Sequence, residues 1–401
     1  MNRCRILSVV LLVALLFSSC KKENTNSTTE ITIGGLLSLT GNWSSLGVTS
    51  EEAMNLAAND INSYLQDIGS PYRFATAIYD TKLDTALALE SIRDAQSKNI
   101  RFLIGPQSSA ELGAIRNYAN ANNLLLVSQS STASSLAIAD DAIFRFCPGD
   151  AVEGEAMART IYSMGKRSII TLSRDDAGNI GLQESVGNNF NSLGGNVTAL
   201  TPYATSSTDF SSLLATLKTT LQQKINADGA DKVGIYLASF DECVALFKQA
   251  DNDLIFSSVN WYGGDGVVLS NALVSDEQAA AFAGKTFFFA PNFGLPLIPH
   301  PDLSSIASAI KSKTGIEPDA YALAAYDALW VIAKSISTAP ASINDINKAK
   351  MILKSEASRH FGITGPVQLN AAGDRSSGSF DYWGIIFENG NYYWAFAGKS
   401  F

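Results

Sequence analysis

Two hydrophobic patterns alternate along most of the chain. Short apolar or β-branched segments bounded by Gly, Asn, Asp or Ser predict strands, and longer segments with apolar residues at helical spacing predict helices. The first pair is a strand at residues 31–37 and a helix containing Ala53, Leu56, Ala57, Ile61 and Leu65. Further strands are predicted at 74–79, 102–104 and 124–127, with helices at 85–97 and 111–120. Sequential βα units imply an α/β fold with a parallel sheet covered on both faces.

The same alternation starts again after Asp150. It predicts a helix at residues 155–163, strands at 168–172, 197–200 and 232–237, and a terminal antiparallel pair at 378–387 and 392–396. Domains average roughly 150 residues, so the length of the chain also favours two of them. We therefore expect two doubly wound parallel-sheet lobes.

The N-terminal segment has the order of a signal peptide. Arg3 and Arg5 precede an apolar run at residues 6–17, which Ser18, Ser19 and Cys20 follow. This run is shorter than the roughly 20 apolar residues that a membrane-spanning helix needs. We predict a cleaved signal peptide at residues 1–19, and a flexible tether at 20–30 because residues 21–30 are all polar.

Residues 16–20, Leu-Phe-Ser-Ser-Cys, resemble a bacterial lipobox, in which a peptidase cuts before the cysteine and a diacylglycerol is attached to its sulfur. Phe17 departs from the usual leucine. The resemblance implies a protein anchored to a membrane through Cys20, in the periplasm or at the cell surface. The alternative is an ordinary secretory peptide in which Cys20 is incidental.

Charge and cysteine content narrow the possible partners. The net charge is −9, and removal of residues 1–19, with two arginines and no acid, makes it more negative. Nucleic acid is therefore not an expected partner. Cys4 leaves with the signal peptide, so Cys147 and Cys243 remain in the body. One disulfide between them is possible, but a domain of this size does not need one, and we interpret both as buried thiols.

Side chains that would carry catalysis are scarce. The chain has two histidines, His300 and His360, and neither lies in a metal-binding spacing. The sequence contains no Gly-x-Ser-x-Gly elbow, no Walker loop and no cysteine pair at zinc spacing. We therefore expect no enzyme activity, no metal site and no cofactor.

Several segments resemble type I periplasmic binding proteins, and among them the leucine/isoleucine/valine-binding family. The opening strand with Thr40 and Gly41, the segments at residues 103–109 and 128–133, and the segment at 144–150 match that family in order and spacing. The resemblance implies a three-stranded hinge near Cys147, near residues 290–291 and near 365–366. It gives one lobe at residues 31–146 plus 291–366 and a second at 147–290 plus 367–401.

The resemblance also implies a ligand site at the ends of two strands. Such strand ends present free N–H groups and a helix dipole that favour an anion. The donors for a ligand carboxylate would come from Ser108, Ser109, Ser130, Ser131 and Thr132. Alternatively, these serines and threonines only cap helices, as such residues often do.

The opposite end of the ligand would need an acid. Asp265 matches the family's acidic ligand for an α-ammonium group, although a plain turn aspartate is the alternative, and Asp150 matches a further polar pocket position. Ile180 and Phe240 stand where the family often has aromatic residues. The Trp43 ring either stacks on the ligand or anchors its own loop to the protein.

The expected function is capture of a branched-chain amino acid or related amide for an ABC permease by a protein that is commonly monomeric in this family. Two alternatives use the same fold: a sensor that signals closure to a membrane partner, and a lipoprotein that regulates the cell envelope. The ligand's side chain is not defined by the sequence.

Overall fold

A computed structural model describes residues 28–400. The predicted signal peptide and Cys20 lie outside these residues. The described chain forms two α/β lobes, each built on its own sheet, and the chain passes between them three times. The prediction of two lobes with parallel sheets is confirmed.

The first sheet is wholly parallel, with the order β2-β1-β3-β4-β5. Its strands are β1 (Thr29–Leu37), β2 (Tyr72–Asp80), β3 (Phe102–Ile104), β4 (Leu125–Ser128) and β5 (Ile143–Arg145). The helices α1 (Ser44–Asp67), α2 (Thr85–Ser97) and α3 (Ser109–Ala121) connect them. Strand β1 begins two residues before the predicted start, because Thr29 and Glu30 already pair with β2. The predicted tether therefore ends earlier than residue 30.

The second sheet has the order β14-β13-β10-β9-β8-β6-β7 and is mixed, because β13 is antiparallel to both β10 and β14. Its strands are β6 (Ser168–Ser173), β7 (Asn196–Ala199), β8 (Val233–Ala238), β9 (Asn260–Gly263), β10 (Phe289–Phe293), β13 (Phe380–Glu388) and β14 (Asn391–Lys399). The helices of this lobe are α4 (Asp150–Ser163), α5 (Ala177–Ser192), α6 (Ser211–Asp228), α7 (Cys243–Ala250), α8 (Asn271–Ser275) and α9 (Glu277–Lys285).

The chain then returns to the first lobe. It forms α10 (Leu303–Thr314), α11 (Ala320–Thr338), α12 (Ile346–Arg359) and a small hairpin of β11 (Phe361–Gly362) and β12 (Gly365–Pro366). Helix α11 is mostly buried and packs against α1 in the core of the first lobe. Alanine favours the helix intrinsically, and its small side chain lets α11 pack closely in the core.

The two later crossings come after the predicted positions. Residues 289–293 pair with β13 in the second sheet, so the chain leaves that lobe after Phe293 rather than at residue 291. Val367 and Leu369 still pack in the first lobe's core, and the chain returns to the second sheet only before Phe380. The two crossing segments touch, because Gly294 N–H donates to Ser379 O at 2.7 Å. Cys147 and Cys243 are both free and buried.

Candidate ligand-binding cleft

A narrow, nearly closed cleft lies between the lobes, where strands of both sheets end. Seven of the residues predicted from the sequence line it: Trp43, Ser108, Ser109, Ser130, Thr132, Phe240 and Asp265. Three further lining residues, Gly178, Asn179 and Leu182, were not predicted. The carboxyl ends of strands in doubly wound sheets are where such folds bind ligands.

The first lobe contributes hydroxyl groups from two strand ends. Ser108 closes a capping box with Glu111, whose N–H donates to Ser108 Oγ at 3.2 Å while Ser108 Oγ donates to Glu111 Oε2 at 2.6 Å. The capping interpretation therefore holds for the Ser108 side chain. Ser109 Oγ is the first hydroxyl inside α3 and accepts from Ser131 Oγ at 3.1 Å. Ser131 thus lies behind the cavity and positions Ser109.

The second strand end supplies Ser130 and Thr132. Ser130 Oγ donates to Gln107 O at 2.8 Å, which ties the two strand ends together. Thr132 O accepts from Asp150 N–H at 2.9 Å, and this contact joins the first lobe to the start of α4. Both residues are almost fully buried in the closed arrangement.

The N-termini of two helices from opposite lobes face each other across the cavity. Ser109 begins α3, and Gly178 and Asn179 lie in the first turn of α5. A Cβ atom on Gly178 would stand 3.4 Å from Ser109 Oγ, so glycine permits the close approach of the two turns. The dipoles of the two helices favour a carboxylate at such a position, although Asp176 already accepts from the Asn179 N–H at 3.0 Å and Ser108 from the Glu111 N–H at 3.2 Å.

Asp265 supplies the acid of the cavity. It follows β9, is buried, and its Oδ2 accepts a hydrogen bond from the Tyr321 hydroxyl at 2.6 Å. Burial raises the pKa of Asp265 to about 6, although the Tyr321 hydrogen bond opposes that shift.

Two more carboxyl groups lie behind Asp265, at the start of α4. Asp150 does not line the cavity, and burial raises its pKa to about 7. Glu153 was not predicted, and its Oε1 accepts from Asp265 N–H at 3.2 Å. The signal that would have found it is the i, i+3 spacing from Asp150, which puts both acids on one face of the helix.

An apolar wall closes the cavity on the side of α1. The rings of Trp43 and Phe240 lie 4.7 Å apart between centroids, and Leu46 packs in the same cluster. Trp43 is only 3% exposed because the other lobe covers it. Leu182 adds a second aliphatic surface.

Ile180 does not line the cavity. It is half-buried, whereas Asn179 and Leu182, which are three residues apart on α5, face the other lobe. Ile180 was predicted only because it follows β6 in the sequence. On α5 the 3.6-residue period places its side chain on a different face from Asn179 and Leu182.

Hydrogen bonds between the lobes hold the closed arrangement. The Asn42 side chain donates to Glu242 Oε2 at 2.7 Å and accepts from Asp241 N–H at 2.8 Å. Trp43 N–H donates to Asp241 Oδ2 at 2.8 Å. These bonds join the loop after β1 to the loop before α7.

Residues 49–387 match the model of the family described as receptor family ligand binding region. The chain belongs to this family. A curated relative, the Leu/Ile/Val-binding protein BraC3 of Rhizobium johnstonii, is 25% identical over 88% of this chain and 90% of its own length.

Two solved structures of similar fold extend the comparison. The leucine-binding protein LivK of Thermotoga maritima has a TM-score of 0.75 at 22% identity and covers 92% of this chain and 98% of its own. LivJ of Streptococcus pneumoniae, solved with isoleucine, has a TM-score of 0.74 at 19% identity and covers 93% and 99%. The fold is that of type I periplasmic binding proteins, and the predicted resemblance is confirmed.

The receptor ligand-binding family and its fold neighbours are solute-binding proteins, not enzymes. Within residues 28–400 no group of three His, Cys, Asp or Glu side chains is arranged to hold a metal ion. Among the helices of that same region, none is both long and apolar enough to cross a bilayer.

Proposed function

We propose that this protein is an extracytoplasmic solute-binding lipoprotein that captures a branched-chain amino acid or related amide between its lobes for an ABC permease. The observation that carries the proposal is the arrangement of the cavity. Neutral donors and two helix N-termini line the cavity together with a buried acid.

The neutral donors and the acid match the two charges of an α-amino acid. A carboxylate between Ser109, Thr132 and the first turn of α5 would be stabilised by N–H groups and helix dipoles. No Lys or Arg is among the residues found to line the cavity, so these neutral groups would have to supply that stabilisation. Asp265 would accept hydrogen bonds from the ammonium group.

The apolar wall supports an aliphatic side chain. Trp43, Phe240 and Leu182 offer carbon surface, and burial of each CH₂ group stabilises a complex by about 0.8 kcal/mol. BraC3 and LivK are named for such ligands, which favours the same class here.

A thermal-shift titration with leucine, isoleucine, valine and their amides tests the proposed ligand class. A ligand at 100 times its Kd should raise the free energy of unfolding by about 2.7 kcal/mol. We expect Thr132→Ala and Asp265→Asn to lose the shift. The control variants Thr216→Ala and Asp67→Asn, both on exposed helix surfaces, should keep it. Equal shifts in all four variants would contradict the proposed pocket.

The lipid anchor needs its own test. Cells expressing the protein would be labelled with a radioactive fatty acid, and the label is expected on the wild-type protein and on Cys4→Ser. It should be absent from Cys20→Ser, which should also be released from the membrane fraction. Label retained by Cys20→Ser would rule out the anchor.

A further inference from the structure

Glu153 is a carboxyl group without a cation, buried beside the proposed ammonium site. Its side chain is fully buried, and its Oε1 accepts from Asp265 N–H at 3.2 Å. Its Oε2 has no hydrogen-bond partner among the described residues. A buried acid in such surroundings is costly to ionise unless an opposite charge is supplied.

The titratable groups that face Glu153 and its neighbours come from several elements of both lobes, and apart from Arg145 none of them is a cation. They are Asp150 on the same helix, Cys147 before it, Asp176 before α5, Tyr236 at β8, Asp265 after β9, Asp319 and Tyr321 at the start of α11, and Tyr382 on β13. The Tyr236 hydroxyl is fully buried and is also without a partner in the described chain.

The arginine whose charge reaches this cluster is already paired. Arg145 acts on Asp150, but its guanidinium donates to both carboxylate oxygens of Asp374, at 2.5 and 2.7 Å. The cations of residues 28–400 therefore leave the acids of the cluster uncompensated.

Burial consequently favours the protonated carboxyl groups. It raises the pKa of Asp150 to about 7 and of Asp265 to about 6, and it raises the pKa of Glu153 well above its ordinary value. The three groups titrate as a coupled set, because each carboxylate disfavours ionisation of the others.

We propose that Glu153 is a specificity-determining residue for the ligand's ammonium group, and that binding of an ammonium-bearing ligand expels a proton from the cluster of Asp150, Glu153 and Asp265 to solvent. This inference rests on the proposed function. The ligand keeps all its ammonium hydrogens, and the carboxyl group that loses its proton becomes the counter-ion.

The mechanism makes affinity depend on pH in a defined direction. Below the raised pKa the free site must give up a proton before it can hold the cation, so affinity falls by about tenfold for each unit of pH. Above that pKa the affinity is constant. The release of the proton is coupled only to ligands that carry an ammonium group. The affinity for a carboxylic acid without an amine would therefore not depend on pH in this way.

Calorimetry with leucine at pH 6.5 tests the proposal in two buffers, phosphate and bis-Tris, which differ in ionisation enthalpy. The difference in apparent heat gives the number of protons released for each ligand bound, and we expect close to one. In Glu153→Gln the number should fall and the loss of affinity between pH 8 and pH 5 should become smaller. Glu155→Gln, on the exposed face of the same helix, should match the wild type.

The outcomes separate this inference from the proposed function. Leucine binding with the same heat in both buffers, or an unchanged proton count in Glu153→Gln, would overturn the inference and leave the proposed ligand class intact. The absence of binding by any amino acid would contradict the proposed function itself. If Glu153→Gln does not fold, the proton count and pH dependence of the wild type still decide whether proton exchange occurs.

Discussion

The Tyr321 hydroxyl donates to Asp265 Oδ2 at 2.6 Å, and the two residues belong to different lobes. Tyr321 lies in the first turn of α11 in the first lobe, and Asp265 follows β9 of the second sheet. The hydrogen bond favours the ionised form of Asp265. Closure of the lobes and preparation of the acid for a cation are therefore linked through one contact.

Removal of this contact should weaken ligand binding without preventing folding. Hydrogen bonds to charged groups contribute about 1.5–3 kcal/mol, so Tyr321→Phe should lower the affinity for leucine by about tenfold or more at pH 7. The matched control is Tyr326→Phe, whose hydroxyl donates to Asp60 away from the cleft. Calorimetry at pH 7 measures both variants. Equal affinities would show that the Tyr321 contact is dispensable.

Trp43 should report closure by its fluorescence. In the closed arrangement Phe240 covers its ring, and opening of the lobes would expose that ring to water. Addition of leucine should therefore move the emission maximum to shorter wavelength. Trp43→Phe should lose most of this change, whereas Trp330→Phe, which alters a half-buried residue elsewhere in the first lobe, should retain it. An undiminished change in Trp43→Phe would contradict closure over Trp43.

In the closed arrangement, the buried acids should make the protein less stable as pH rises. Asp150 and Asp265 have pKa values of about 7 and about 6 in the folded state, against about 3.9 for an unfolded aspartate. The folded state thus binds more protons than the unfolded state in this range. Their contribution to the free energy of unfolding is complete below pH about 4 and is lost as pH rises through the folded values.

Urea unfolding between pH 4 and pH 8 measures this dependence. Asp150→Asn should flatten the decline, because one of the raised groups no longer titrates. Asp67→Asn, on an exposed turn of α1, should leave it unchanged. If the free energy of unfolding declines equally with pH in the wild type and in Asp150→Asn, Asp150 does not cause the decline.

The ion pair of Arg145 and Asp374 should be a major contribution to stability. Both side chains are buried, and the pair joins the end of β5 to the segment that precedes the third crossing. Loss of one partner of a buried pair costs about 3–5 kcal/mol, and that loss is expected for Asp374→Asn. Asp94→Asn, in the exposed pair with Lys98, should have no measurable effect in the same urea titration. Equal losses in the free energy of unfolding for Asp374→Asn and Asp94→Asn would refute a major contribution from the buried pair.

The architecture was predictable because local patterns determine it. Segments such as α2 and β3 have the predicted bounds, since apolar periodicity and flanking polar residues define their ends. The later crossings were misplaced because Phe293 and Val367 belong to their lobes through pairing and packing with distant residues. No local signal records such contacts.

The cavity was predictable in part for the same reason. Serine and threonine after strand ends, and an acid after β9, are visible in the sequence. Glu153 was missed because its role depends on the Asp265 backbone, 112 positions away. Asn42 was missed because its partners, Asp241 and Glu242, lie about 200 residues further along the chain.

The most direct test of the account is calorimetric titration with leucine and two analogues that each lack one charge. These are 4-methylpentanoate, which has no ammonium group, and 3-methylbutylamine, which has no carboxylate. We expect leucine to bind, and each analogue to bind more weakly by at least about 100-fold, because each leaves buried polar groups of the cavity unpaired. Equal binding of leucine and 4-methylpentanoate, or no binding of leucine or any other zwitterion, would contradict a site built for an α-amino acid.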